Sequence, residues 1–227
     1  MTAATIPVPP PRNAIHDSDT MLVGIGILMC WRRKGRWRFA QHTHALQAGE
    51  PEFDLLDAVA AQLPPAGMLV GWNIARSLAP ILLNVAATAP PACACGFLTR
   101  WQGLLKGGVF DMALPRGRAG FPTLATAAAD WAIYAPTWRD EDIFSAWATG
   151  RTDPLRRDLA DEALALWRMH VRAEGMARID KAEATDAWVA AQKASDLTPW
   201  TAEEMGSELG SGNRDGAENP RPTGRRS

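Results

Sequence analysis

The stretch of sequence that decides the fold lies at residues 69–82 and reads LVGWNIARSLAPIL. Its first three residues, Leu69-Val70-Gly71, form a short apolar run that is typical of a buried strand. From Ile74 to Ala87 the apolar residues recur at helical spacing, and Pro80, near the first turns, is the one discordant residue. A strand that leads directly into a helix indicates an α/β protein.

Upstream of this stretch the sequence predicts two strands and a helix. Met21 to Cys30 is rich in Leu, Val and Ile, and Trp37 to His44 has the character of a returning strand. Between them Arg32-Arg33-Lys34-Gly35-Arg36 predicts a hairpin turn with glycine at the position that needs an unusual backbone conformation. A helix is expected from Glu52 to Gln62, because its apolar residues repeat at helical spacing before a Pro-Pro-Ala-Gly stop.

Downstream of it the prediction is mostly helical. Residues 88–108 contain Pro and Gly and are expected to be irregular, and Val109 to Met112 forms a short strand or turn. Four later segments carry apolar residues at helical spacing, near 122–132, 140–148, 154–174 and 180–193. The predicted architecture is therefore a mixed sheet flanked by helices, with a helical C-terminal half.

Changes in composition divide the chain into four parts. Residues 1–18 are a Pro-rich N-terminal segment, in which prolines cannot donate the hydrogen bonds of a central strand. Residues 19–176 form the folded domain, and residues 177–204 carry a C-terminal helix. Residues 205–227 are rich in Gly, Ser, Asn, Pro and Arg, so they bury too little apolar surface to fold and are expected to be disordered.

Composition excludes several classes of protein. The chain has 227 residues, 47% of them hydrophobic, and a formal net charge of −1, so any nucleic-acid surface must be a local patch. The first residues lack a basic stretch followed by an apolar one, and no apolar run is long enough to cross a bilayer. Three cysteines without regular spacing do not indicate a disulfide framework. A cytoplasmic protein without a membrane partner is expected.

Three segments in order resemble one enzyme family. They are LVGWNIARSLAPIL from Leu69, VFDMALPRGRAGFPTLATAAADWAI from Val109, and EDIFSAWATGRTDPLRRDLADEALALWRMHVR from Glu141. This chain resembles a degenerate member of the DEDD 3′–5′ exonucleases, the bacterial group related to the proofreading domain of family B DNA polymerases. The resemblance implies an RNase H-like fold and hydrolysis of phosphodiesters with two Mg²⁺ or Mn²⁺ ions held by four carboxylates.

Most of those carboxylates have no counterpart in this sequence. The Asp-x-Glu of the family's first motif falls near Val8 to Pro10, where there is no carboxylate, and Asp17 and Asp19 are assigned to a polar turn. The Asp of the second motif falls on Leu78, while Asn73 matches the family and is expected to cap the following helix.

The third motif keeps more of the family's residues than the first two motifs do. Glu162 aligns with the family's final Asp and lies beside the apolar face of its predicted helix, whereas Asp161 lies in a polar arc with Arg157. A carboxylate in such a place needs a partner or a metal. Glu162 is interpreted either as a rim glutamate paired with a nearby arginine or as a remnant metal ligand.

The family resemblance and the missing carboxylates together predict a non-catalytic or weakly active exonuclease-like domain. Such a domain needs no cofactor and binds nucleic acid or a protein partner. One alternative is an active exonuclease that uses Mg²⁺ or Mn²⁺. Its carboxylates would then come from misaligned positions, with Asp17, Asp19, Asp111, Asp161 and Glu162 as candidates. Another alternative is a structural subunit of a larger assembly.

The hairpin is the best candidate for binding single-stranded nucleic acid. Five cations there could neutralise phosphates, namely Arg32, Arg33, Lys34, Arg36 and Arg38. Trp31 and Trp37 could stack on bases, or they could pack inward beneath a solvated hairpin tip.

Three smaller motifs are assigned no role in chemistry. His42 and His44 share a face of the predicted strand, but nothing in the sequence joins them to Cys93 and Cys95 as a four-ligand zinc site. Gly24-x-Gly26 lies inside a strand and not at the strand-to-helix turn that a phosphate-binding loop requires.

Overall fold

Two small β-sheets form the centre of the fold. The computed structural model describes residues 1–7, 20–113, 123–174 and 179–194. The first sheet is antiparallel, with strand order β1-β2-β3, and contains β1 (Thr2–Pro7), β2 (Thr20–Arg33) and β3 (Arg36–Ala45). The second is a parallel pair, β4 (Leu69–Gly71) and β5 (Val109–Asp111). The Met1 amine donates a hydrogen bond to the Val70 carbonyl at 2.9 Å, so the start of β1 lies beside β4.

Helices surround these strands, which confirms the mixed α/β class. They are α1 (Phe53–Gln62), a π-helical turn (Ile74–Leu78), α2 (Ala79–Thr88), α3 (Pro91–Gly107), α4 (Leu124–Ala129), α5 (Asp140–Ala148), α6 (Thr152–Ala173) and α7 (Ile179–Ala194). Helices α1 to α3 pack against one another and α6 lies across β2 and β3, with α7 on β3 and α6. No helix in the described ranges is both long and apolar enough to cross a membrane.

Strand β2 contributes to two cores and contains a β-bulge. Thr5 pairs with Leu22 and Ala4 with Gly24, so Val23 is the extra residue. Because of this extra residue, Leu22 and Ile25 lie in the same core, shared with α1, α2 and α3, although they are three positions apart, while Val23 packs against the α6 leucines. Each core is continuous with one side of the three-stranded sheet.

The prediction that residues 1–18 precede the folded domain is wrong for the first residues of this segment. Residues 2–7 pair with β2 and belong to the domain, which therefore does not begin at residue 19. The strand ends at Pro7, where the missing N–H stops the ladder. Residues 8–19, including Asp17 and Asp19, lie outside the described part of the chain, as do residues 195–227 with the predicted tail.

The prediction of irregular structure over residues 88–108 is also wrong. Helix α3 begins at Pro91, where a proline suits the first turn, and buries Cys93, Phe97, Trp101 and Leu104 along one stripe. Its glycines permit close packing, since a Cβ on Gly103 would lie 2.0 Å from the Pro65 carbonyl oxygen. Burial of this stripe outweighs the low helix propensity that the sequence suggests.

The hairpin and the other predicted elements are confirmed. Lys34 and Gly35 have φ values of 47° and 77° and form a two-residue turn between β2 and β3. Pro80 lies in the first turn of α2, just after the π-helical turn, where it costs no hydrogen bond.

Candidate functional site

Two of the candidate site residues from the sequence, Asn73 and Glu162, line one small cavity. It has a volume of about 150 Å³ and lies between β1, the π-helical turn and α6. Its walls include Thr2, Thr5, Asn73, Ser77, Leu78, Leu124 and Glu162. The structure therefore brings Asn73 and Glu162 together, although 88 intervening residues separate them in the sequence.

Among the described residues Glu162 is the one carboxylate that lines this cavity, and it is only 8% exposed. Burial raises its pKa from 4.5 to about 7, and a hydrogen bond from Trp138 and the positive Met1 amine partly oppose that rise. The predicted ion pair with an arginine is wrong, because among the described residues no ion pair to Glu162 forms. An indole, not a guanidinium, is its partner.

Asn73 does not cap the following helix with its side chain, which corrects the sequence interpretation. Its backbone is left-handed, with φ 51° and ψ 46°, a conformation that asparagine tolerates better than most residues. Its carbonyl oxygen accepts hydrogen bonds from the Ser77 amide at 2.9 Å and from the Leu78 amide at 3.4 Å. Asn73 therefore starts the π-helical turn through its backbone.

The remaining carboxylate candidates lie elsewhere. Asp111 is buried, and its two oxygens accept hydrogen bonds from the amides of Ala75 at 3.3 Å and Ala113 at 3.1 Å. These bonds fix the end of β5 and give Asp111 a structural role. Asp161 is half-buried on α6 and does not line the cavity.

These residues do not fit a pair of divalent cations. Strand β1 contains no Asp or Glu, and Leu78, on which the Asp of the second motif was expected to fall, is apolar and 3% exposed. Within the described ranges no three His, Cys, Asp or Glu side chains come together in a way that could hold a metal ion. Hard cations need several oxygen ligands, and this cavity offers one carboxylate.

A second and larger depression lies along the free edge of β3. We call it the arginine groove; it has a volume of about 980 Å³ between β3, α6 and α7. Three of its five arginines, Arg32, Arg36 and Arg38, come from the hairpin, and Arg156 and Arg157 come from α6. Asp180 is the one acidic residue in its wall. The groove is therefore positively charged in a chain whose formal net charge is −1.

Aromatic side chains line the same groove. Trp31, Trp37, Phe39 and Trp188 all contribute to its walls. Phe39 and Trp188 stack with ring centroids 5.3 Å apart and planes inclined by 29°. Arginine side chains interleaved with aromatic rings are typical of surfaces that bind single-stranded nucleic acid.

The two hairpin tryptophans, Trp31 and Trp37, differ in their contacts with other side chains. Trp37 packs inward: its Nε1 donates to Asp180 at 3.2 Å, its ring lies 6.1 Å from Trp167, and the Lys181 ammonium lies 5.3 Å from its centroid. These contacts agree with the alternative in which Trp37 packs inward. Trp31 is half-buried, lines the groove and has no ring contact with another described aromatic residue.

The cations of the hairpin also have distinct surroundings. Arg32 donates from Nε to the Gly35 carbonyl at 3.2 Å and lies 4.0 Å from Asp180. Arg33 and Lys34 do not line the groove, while Arg36 and Arg38 are exposed within it. Three of the five hairpin cations that were predicted from the sequence therefore line the arginine groove.

Sequence reasoning missed the contribution of α6 and α7. Arg156 and Arg157 lie more than 110 residues beyond the hairpin, and no local pattern joins them to it. The available signal was the Arg-Arg pair on the polar side of a strongly amphipathic helix. Trp188 could be recognised only as an apolar residue of α7.

The histidine and cysteine pairs do not form a zinc site among the described residues. His42 lines the arginine groove, and burial together with neighbouring His44 lowers its pKa. Cys93 is buried on α3 and donates to the Phe53 carbonyl at 3.4 Å, whereas Cys95 is exposed. The cysteines therefore lie on a helix and not on the expected loop.

Comparison with known proteins gives no match: no family model, curated protein or solved structure resembles this chain significantly.

Proposed function

We propose that this chain is a degenerate 3′–5′ exonuclease-like domain that binds single-stranded nucleic acid in the arginine groove without hydrolysing it. The observation that carries the binding function is the charge of that groove, where five arginines face one aspartate. Phosphates that occupy it would displace condensed counterions, which is the main source of affinity in such complexes.

The strand arrangement supports an RNase H-like ancestry. The hydrogen bond from Met1 to Val70 joins the two sheets edge to edge. The three-stranded antiparallel sheet and the parallel pair β4-β5 therefore lie next to each other, with β1 beside β4. The three segments that resemble the family correspond to β4 with the π-helical turn, to β5 with α4, and to α5 with α6.

The motif cavity supports the loss of hydrolysis. Two-metal catalysis requires carboxylates that offset adjacent divalent charges, and only Glu162 is present. With its pKa raised to about 7 by burial, protons compete with a cation for this carboxylate near neutral pH. Thr2 and Leu78 line the same cavity and offer no carboxylate.

The test uses 5′-labelled single-stranded DNA and RNA oligonucleotides with Mn²⁺, and it measures shortening and retention in the same reaction. Retention without shortening, reduced in an Arg38→Ala, Arg156→Ala, Arg157→Ala triple variant, is the expected result. Shortening from the 3′ end that disappears in Glu162→Ala would overturn the loss of hydrolysis. Absence of retention at low salt would overturn the binding function.

A further inference from the structure

Strand β2 is longer than the strand that pairs with it on one side. It runs from Thr20 to Arg33, and its pairing with β1 ends at Gly26. On its other side β3 continues to pair as far as Arg33. Residues 27–33 therefore have a strand neighbour on one side only within the described part of the chain.

A cavity of about 510 Å³ lies along this unpaired edge, and we call it the strand slot. It is lined by the consecutive residues 27–31 of β2 and, opposite them, by residues 61–70, which lead into β4. Successive side chains of a strand point to opposite faces of the sheet. A cavity that touches five successive residues therefore lies at the edge of the strand and not over one face.

The chemistry of the slot suits an extended backbone. In an antiparallel sheet, alternate residues direct their N–H and C=O groups to each neighbour, so half of these groups in residues 27–31 face the slot. Backbone groups of this kind are a ready template for another strand.

The walls of the slot are apolar. Ile27, Leu69, Leu104 and Leu166 are each buried to 4% exposure or less, and Arg100 is its one charged side chain. An occupant must therefore combine backbone hydrogen bonding with apolar side chains, because an unpaired polar side chain would lose its hydration there.

Met1 also lines the slot and, by the register of β1 with β2, lies at the level of Ile27, so residues 28–31 are the open part of the edge. We propose that the strand slot binds an extended apolar peptide of about four residues from another polypeptide, hydrogen-bonded antiparallel to β2 beyond Met1. Four residues of a strand span roughly 13 Å, which matches the length of residues 28–31. The slot continues the β1–β2 interface, so the peptide would extend a sheet that already exists.

None of the segments of residues 1–227 outside the described ranges has the composition of such a peptide. Residues 8–19 contain three consecutive prolines, which cannot donate to β2, and residues 114–122 contain two more prolines. Residues 175–178 are too short, and residues 195–227 contain no run of apolar residues. The chemistry of the slot suits an apolar strand without proline, which we assign to a second polypeptide.

The experiment titrates the full chain into a fluorescein-labelled peptide with the core Val-Ile-Val-Ile-Thr between two lysines, and it measures fluorescence polarisation. The control peptide has the same sequence with alternate backbone nitrogens methylated, which removes hydrogen-bond donors and keeps the side chains. Binding by the first peptide and at least tenfold weaker binding by the second support the proposal. Hydrogen exchange of residues 28–31 should slow when the first peptide is bound.

Two protein variants complete the test. Met68→Glu places a charge at the exposed rim of the slot and should weaken peptide binding about tenfold while the protein stays folded. Ala163→Leu fills the slot from α6 and should abolish binding.

Three results would overturn the proposal. Equal binding of both peptides would show that the cavity binds apolar side chains without backbone hydrogen bonds. Failure of the folded protein to bind either peptide would show that the slot is not a peptide-binding site. Self-association that Met68→Glu prevents would make a second copy of this chain the occupant. The arginine groove variants should not alter peptide binding, so this result is independent of the nucleic-acid function.

Discussion

The Trp138 side chain donates a hydrogen bond to the carboxyl group of Glu162, which lines the small cavity next to Asn73. This bond stabilises the charged form of Glu162, while burial disfavours it more strongly. The balance leaves Glu162 protonated over a range of pH in which an exposed glutamate is ionised. Its contribution to stability therefore depends on pH.

Glu162→Gln should stabilise the protein at pH 8 and have little effect at pH 4.5. The folded-state pKa is about 7 and the unfolded value is 4.5, so unfolding releases a proton between these values and stability falls as pH rises. Above pH 7 the penalty is about 3 kcal/mol, at 1.36 kcal/mol per pH unit of difference. Urea unfolding at several pH values measures it.

Glu183→Gln on the exposed side of α7 is the matched control. It changes the same functional group without burial, so its stability profile should follow that of the unmodified protein. Comparison of the two variants also removes the contribution of His42 and His44, whose pKa values are lowered by burial. A parallel shift in both variants would contradict the assignment to Glu162.

Arginine substitutions in the groove should weaken nucleic-acid binding and reduce its dependence on salt. Each phosphate contact with a single strand contributes about 0.7 to the slope of log affinity against log salt. Arg38→Ala and Arg157→Ala should each lower that slope by about this amount. Arg139→Ala, outside the groove, should leave the slope unchanged, and an equal effect of all three would indicate nonspecific attraction.

Trp37→Ala should reduce stability, since its ring packs on Trp167 and its indole holds Asp180. We expect a loss of about 2 kcal/mol, less than for a fully buried tryptophan, with faster hydrogen exchange in α7. Tyr134→Ala is the control, because that side chain is 70% exposed and should change stability by less than about 0.5 kcal/mol. Unchanged exchange in α7 would mean that Trp37 does not anchor that helix.

Two glycine substitutions should have opposite effects. A Cβ on Gly26 would lie 2.5 Å from the Leu159 carbonyl oxygen and 2.7 Å from Thr2 Oγ1, so Gly26→Ala forces α6 away from β2 and should cost more than about 2 kcal/mol. Gly96 lies on the exposed side of α3 with no atom within 4 Å of its Cβ position. Gly96→Ala should therefore stabilise the protein by about 1 kcal/mol. Thermal unfolding of both variants measures the difference.

The sequence by itself determined the elements whose signal is local. Periodic apolar residues predicted α1, α5, α6 and α7, and Lys34-Gly35 predicted the hairpin turn, because these patterns depend on neighbours within a few residues. It also predicted the scarcity of carboxylates at the motif positions, since the identity of a residue is visible without its coordinates.

Tertiary structure alone decided the features that depend on distant partners. It made α3 a helix by burying Phe97 and Trp101, and it turned the Trp37 indole towards Asp180 of α7. The arginine groove and the strand slot likewise combine segments that are far apart in the chain. Burial and edge pairing are sums over residues brought together by folding, so no local pattern in the sequence carries them.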